Sequence, residues 1–234
     1  MEGMTENRPR TRYAAEQALK SEVRVTRHWP LFSGIAAVVL AAVLGAVIAY
    51  RASNKPFGFD TEWMDEILED RNAVWEVPAQ LMNTLGGGLF GVIILPVAIV
   101  VVLLIMRRKW AALYFAAASV LSAGLVQLLK NLFARPRPED MLVAADIGSF
   151  PSGHVANAAT MAVVLGFILH RTWIWIAGLV YAILMMLSRT YLGVHWVSDT
   201  IGGLVLGAGV AVILWAPLAH RLYVERHKPI VTAA

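Results

Sequence analysis

The chain has 234 residues, 58% of them hydrophobic and 15% charged, with a mean hydropathy of +0.62. That is too apolar for an ordinary water-soluble domain and puts membrane proteins first among the classes to consider. Cysteine is absent, which excludes disulfide and thiol chemistry, and the net charge of +4 comes with no nucleic-acid motif.

Residues 1–28 form a polar tail in which "YAAEQALKSEVRV" fits either an amphipathic helix at the inner leaflet or a solvated segment. The first apolar run, 31–50, lies behind this tail and lacks a clear small-residue cleavage site, so it is expected to anchor the chain rather than be removed. About 20 mostly apolar residues are needed to cross roughly 30 Å of hydrocarbon. By that rule further spans are predicted at about 85–106, 110–129, 153–170, 173–190 and 197–218. The outer boundary of the fifth depends on whether "SRTYLG" extends it.

Between the first two spans, "FDTEWMDEILEDRNAVW" places Trp63, Ile67 and Leu68 at helical spacing and predicts a short interfacial helix. The glycines at 86–88 open the second span, where they would allow close helix packing or, less simply, sit beside a ligand. The expected fold is therefore an all-α integral membrane protein: one six-helix domain over 29–220 and a carboxy-terminal tail over 221–234.

Lys and Arg cluster in the amino-terminal tail, at 107–109, at Arg171 and at Arg221, Arg226 and Lys228. The first interspan loop is mostly acidic. The positive-inside rule then places both termini in the cytoplasm and that loop outside, at the plasma membrane.

With this topology Lys130, Arg135, Arg137, Ser152, His154, Arg189, His195 and Asp199 all fall at the outer ends of the helices. Ionisable groups at membrane depth are costly and mark function, and snorkelling explains only one or two cations. His195 and Asp199 are four apart at a helix start and share a face; alone, they fit a satisfied buried pair equally well. "PSGH" at 151–154 fits a helix start whose free N–H groups face an anion, or a plain Ser cap. The cations would repel a metal ion, whereas guanidinium forks and a helix amino terminus suit a phosphate dianion. The pattern points to phosphoryl chemistry with no metal and no cofactor.

"KNLFARPRP" from Lys130, "PSGH" from Pro151 and "SRTYLGVHWVSD" from Ser188 together resemble the type 2 phosphatidic acid phosphatase superfamily in order and spacing. The resemblance is strong over about residues 84–200. It implies that His195 is the nucleophile forming a phosphohistidine, that Asp199 orients it, and that His154 is the general acid and base. It further implies that Lys130, Arg137, Arg189, Ser152 and Gly153 hold the phosphate; the family spacing selects Arg137 over Arg135, leaving Arg135 as a headgroup contact.

The implied activity is hydrolysis of a lipid phosphate or diphosphate at the outer face, with polyprenyl diphosphate, phosphatidylglycerophosphate and phosphatidate as candidate substrates. The bilayer and this lipid are the expected partners, with no nucleic acid and no obligatory protein partner. A phosphotransferase passing the phosphate to another lipid would use the same residues. A transporter or flippase would instead place its polar groups near the midplane.

Overall fold

The computed structural model describes residues 28–51 and 54–227, and among them every regular element is helical. The expectations for the amino-terminal tail and for residues 228–234 lie outside the described residues. In chain order the helices are α1 (His28–Tyr50), α2 (Gly58–Asp70), α3 (Ala73–Gly86), α4 (Phe90–Ile105), α5 (Lys109–Phe133), α6 (Gly153–Leu169), α7 (Thr172–Tyr191) and α8 (Val197–Arg226). The first turns of α4, Phe90–Ile94, are π-helical.

Four of these, α1, α5, α7 and α8, are long and apolar enough to cross a membrane, and α3 with α4 adds a fifth as a bent pair. α6 is apolar but has only 17 residues. By length and composition the count is therefore four or five against the six expected. The shortfall has a physical cause: α6 is enclosed by α5, α7 and α8 rather than by lipid, and it starts at the depth of the polar site.

The second predicted span is also redrawn. Its helix begins at Ala73, inside the expected outer loop, and bends by 44° at the glycines before continuing as α4. Asn72 caps α3, its side-chain oxygen accepting from the Val74 and Trp75 N–H groups, so the helical pattern that began at Gly58 restarts there. α7 runs through "SRTY" to Tyr191, resolving the fifth boundary in favour of the longer helix.

Small residues set the helix spacing. A Cβ on Gly203 or Gly207 would collide with the carbonyl oxygens of Ser152 and Ala156, so α8 lies directly on the α6 backbone. Gly209 meets Ala37 and Gly34 in α1 in the same way, and Gly202 receives the Phe150 ring. These glycines of α8 thus serve contacts within the chain. Where backbones approach this closely, polar side chains bridge them: Thr160 donates to the Ser122 hydroxyl at 2.9 Å, and Tyr114 to the Ala211 carbonyl at 2.8 Å. Such bonds contribute about 0.6 kcal/mol each on average between membrane helices.

The outward faces carry exposed apolar side chains such as Val101, Val120, Leu128, Ile176 and Leu179, as a lipid-facing surface requires. At the end of the bundle that holds Arg107, Arg108, Arg171 and Arg226, the Glu225 carboxylate accepts from the Trp110 and Ala111 N–H groups at 2.8 and 3.0 Å. It thereby caps α5 from α8. The opposite end is where α5 and α7 finish, α6 and α8 begin, and the site forms.

Candidate active site

Each segment delivers its polar residue because of where its helix stops or starts. α5 ends with Ala134 in the left-handed region (φ 43°), which turns the chain away just after Lys130 and sends it into the 134–152 loop. That loop carries Arg135, Arg137 and Asp146 and enters α6 through a cis Phe150–Pro151 bond. Ser152 stands at the N-cap position of α6 without a side-chain cap bond, so Gly153 and His154 stand on its first turn. Arg189 lies in the last turn of α7, His195 in the short link that follows, and Asp199 in the first turn of α8.

A cleft of about 1030 Å³ opens among them, lined at its polar end by Asn83, Lys130, Arg137, Asp146, His154, Arg189 and His195. It continues along Val97, Val101, Ala116 and Val120 between α4 and α5. One cavity thus joins a cationic pocket to an apolar groove.

His195 is buried, and its two ring nitrogens face different neighbours. Nδ1 lies 3.5 Å from Asp199 Oδ2, long for a hydrogen bond, and has no other partner among the described residues. Nε2 lies 3.4 Å from the Arg137 guanidinium. Burial, followed by the charges of Arg189, Arg137 and Lys130, pushes its proton affinity well below that of an ordinary histidine. Burial therefore favours the neutral imidazole.

Asp199 is fixed on both oxygens. Oδ2 accepts the Trp196 N–H at 2.9 Å, and Oδ1 accepts from Arg135 at 2.6 Å. Arg135 also donates to Asp60 Oδ2 at 2.9 Å and to the Ser198 hydroxyl at 2.7 Å, and Asp60 in turn accepts the Ser198 N–H. Arg135, Asp60 and Asp199 are all 0% exposed. This corrects the expectation that Arg135 contacts a headgroup: it lies behind the site, where its charge is matched by two buried carboxylates.

Arg137 is held by backbone carbonyls of Val194, Asp146 and Gly148 and by the Asp146 carboxylate at 2.7 Å. Lys130 reaches the same Asp146 oxygen at 2.9 Å. Burial raises the Asp146 proton affinity, but the Lys130 hydrogen bond and the charges of Lys130 and Arg137 outweigh it and hold the carboxyl below its ordinary range. Arg189 donates to the Asn83 side-chain oxygen, and its Nε is buried without a partner among the described residues. His154 Nε2 lies 3.2 Å from the Asn83 carbonyl, an acceptor, so this nitrogen carries the hydrogen.

The structure therefore gathers Lys130, Arg137, Gly153, His154, Arg189 and His195 on one cleft wall, with Asp199 behind His195. Ser152 does not reach the cleft; it is fully buried, its hydroxyl has no partner among the described residues, and its N–H donates to the Asp199 carbonyl at 3.0 Å.

Sequence reasoning did not single out Asn83, Asp146, Asp60 or Asn157. Asn157 donates to the Gly86 and Gly91 carbonyls at 3.3 and 3.0 Å and holds the α3–α4 bend against α6. One of the four had a readable signal, since Asn157 is a lone amide in an apolar stretch. The glycines at the bend belong to the site, because a Cβ on Gly87 would fall on the His154 ring.

The sequence profile of the PAP2 superfamily matches residues 111–223. Phosphatidylglycerophosphatase B of Bacillus subtilis is 40% identical over 93 residues, which cover 36% of this chain and 46% of that protein. An undecaprenyl-diphosphatase of Sulfolobus acidocaldarius is 38% identical over 78 residues, covering 33% of this chain and 34% of the relative. The chain thus spans less than half the length of either curated relative. The crystal structure of a transmembrane PAP2-type phosphatidylglycerolphosphate phosphatase from Bacillus subtilis superposes with a TM-score of 0.70 at 26% identity, covering 86% of this chain and 100% of that one. The matched segment contains the polar residues from Lys130 to Asp199, and the helical arrangement shared with the solved structure extends well beyond it: the chain is a multi-pass membrane protein similar to the PAP2 superfamily.

Proposed function

We propose that this protein is a metal-independent lipid phosphatase that hydrolyses a phosphate monoester or diphosphate headgroup through a phosphohistidine. One observation carries the reading: three cations and two histidines from separate helix ends line a cleft that runs on into an apolar groove. A phosphorylated headgroup on a hydrocarbon tail matches both halves. Relatives named for phosphatidylglycerophosphate and undecaprenyl diphosphate support the substrate class.

His195 Nε2 attacks phosphorus as the bond to the lipid oxygen breaks, with Nδ1–H retained and directed at Asp199. His154, protonated on both ring nitrogens once the phosphate dianion sits beside it, turns its Nε2–H from the Asn83 carbonyl to the departing oxygen and is left as neutral imidazole, so the lipid leaves as an alcohol or as the shortened phosphate. Water then attacks the phosphohistidine, giving its proton to His154, and the P–N bond breaks to release orthophosphate. Lys130, Arg137, Arg189 and the Gly153 N–H stabilise the charge on the equatorial oxygens throughout. Ser152 acts from behind, through the start of α6.

The polar site sits at one end of the bundle and the Arg-rich turns at the other, which supports an outward-facing site with the described carboxy-terminal helix end in the cytoplasm. In this arrangement α6 serves as the sixth, shortened crossing, and α2 lies at the outer interface. The test is phosphate release by the purified protein in detergent from phosphatidylglycerophosphate, polyprenyl diphosphate and phosphatidate. At least one should be hydrolysed by the native chain and none by His195→Ala; release from none by the native chain overturns the reading.

A further inference from the structure

Both Lys130 and Arg137 are occupied by one oxygen of Asp146, in the place where a phosphoryl oxygen would bind. The three residues are unequally exposed. The cationic side chains are 5% and 8% exposed, whereas that of Asp146 is 58% exposed. The carboxylate therefore reaches the cations from the solvent side of the cleft, and detaching it returns it to water rather than to a buried environment.

Their other contacts are unequal too. Arg137 keeps its bonds to the carbonyls of Val194, Asp146 and Gly148 when the carboxylate leaves, so the guanidinium stays in place. The loop backbone at 146–148 stays with it, and the exchange needs only a side-chain rotation at Asp146. Lys130 has no partner but Asp146 among the described residues. With Arg189 in the same cleft, an anion-free site would hold three nearby cations in a partly buried, low-dielectric space, which is costly.

We propose that Asp146 is an internal competitor for the phosphate site: its carboxylate holds Lys130 and Arg137 in the empty enzyme, and a phosphoryl group binds by displacing it. After hydrolysis the carboxylate returns as orthophosphate leaves, so it speeds product release at the expense of affinity. This rests on the phosphatase reading for its meaning, yet it can be tested without turnover.

The experiment is a binding titration of orthophosphate to the purified full chain in neutral detergent, followed by ³¹P line broadening, for the native protein, Asp146→Asn and Asp146→Glu. Removing the competing charge should tighten orthophosphate binding about tenfold in Asp146→Asn, while Asp146→Glu, which keeps the charge, should stay near the native value. A purely structural ion pair gives the opposite sign, because losing it would leave Lys130 and Arg137 misplaced and weaken binding. Unchanged or weaker binding in Asp146→Asn, from a preparation that hydrolyses a lipid phosphate, overturns the competitor and leaves the phosphatase standing. Tighter binding in a preparation that releases no phosphate does the reverse.

Discussion

At the scale of single residues, the two histidines that the proposed mechanism gives different work also differ in what surrounds them. His195 has one nitrogen toward a carboxylate and the other beside a guanidinium, while His154 has its Nε2–H on a backbone carbonyl. Replacing His154 with Asn should lower kcat by about 10²–10⁴-fold, the usual contribution of a positioned acid and base, with little change in KM. Excess EDTA should leave native turnover intact. The pH dependence follows from the depressed proton affinity of His195. Its neutral, nucleophilic form persists as pH falls through 6.5 and is lost only near its lower folded-state value, so the acid limb of kcat/KM should lie well below pH 6.5. The same depression has a stability consequence, because below pH 6.5 the unfolded chain binds a proton that the folded one does not. This group therefore favours unfolding as the solution is acidified. A kcat/KM profile whose acid limb is centred at 6.5 would contradict the assignment of His195.

Elements enter the chemistry through what they brace. α2, expected from sequence only as a short interfacial helix of the outer loop, sends Asp60 to Arg135 and so reaches Asp199 through a buried chain of ion pairs. Breaking a buried pair strands the remaining charge, and Asp60→Ala should cost about 3–5 kcal/mol of stability, read as a lowered denaturation midpoint in detergent. The α3–α4 bend behaves differently. Gly87→Ala puts a methyl group on the His154 ring, so it should abolish most turnover while the thermal midpoint changes far less than in Asp60→Ala. These two elements also show where sequence was silent. The motif spacing placed Lys130, Arg137, His154, Arg189, His195 and Asp199 because helix ends fix them locally. Asp60 and Asn83 act across separations of 75 and 106 positions, on Arg135 and Arg189, and no local period records such pairings. Arg135 was misread for the same reason, since a cation beside a motif looks identical whether it faces headgroups or two buried acids.

For the whole molecule, apolar run length was enough to find the long helices and α6, but not the enclosure of α6 by α5, α7 and α8, nor the start of α3 at Asn72, nor the bend at the glycines that joins α3 to α4. Orientation is the remaining property of the assembled bundle, and the chain offers a clean way to measure it because it contains no cysteine. Glu139 is exposed on the loop at the site end, and Arg171 is exposed at the other end between α6 and α7. In cells expressing Glu139→Cys, a membrane-impermeant maleimide should label the protein from outside. In Arg171→Cys it should react only after the membrane is opened. Neither residue lines the cleft, so both variants should retain phosphate release, which certifies that the labelled protein is folded. The reverse labelling pattern in active variants would place the cleft on the cytoplasmic side. The lipid phosphate would then have to reach it from the inner leaflet, with the Arg-rich turns lying against the outer one, contrary to the positive-inside bias.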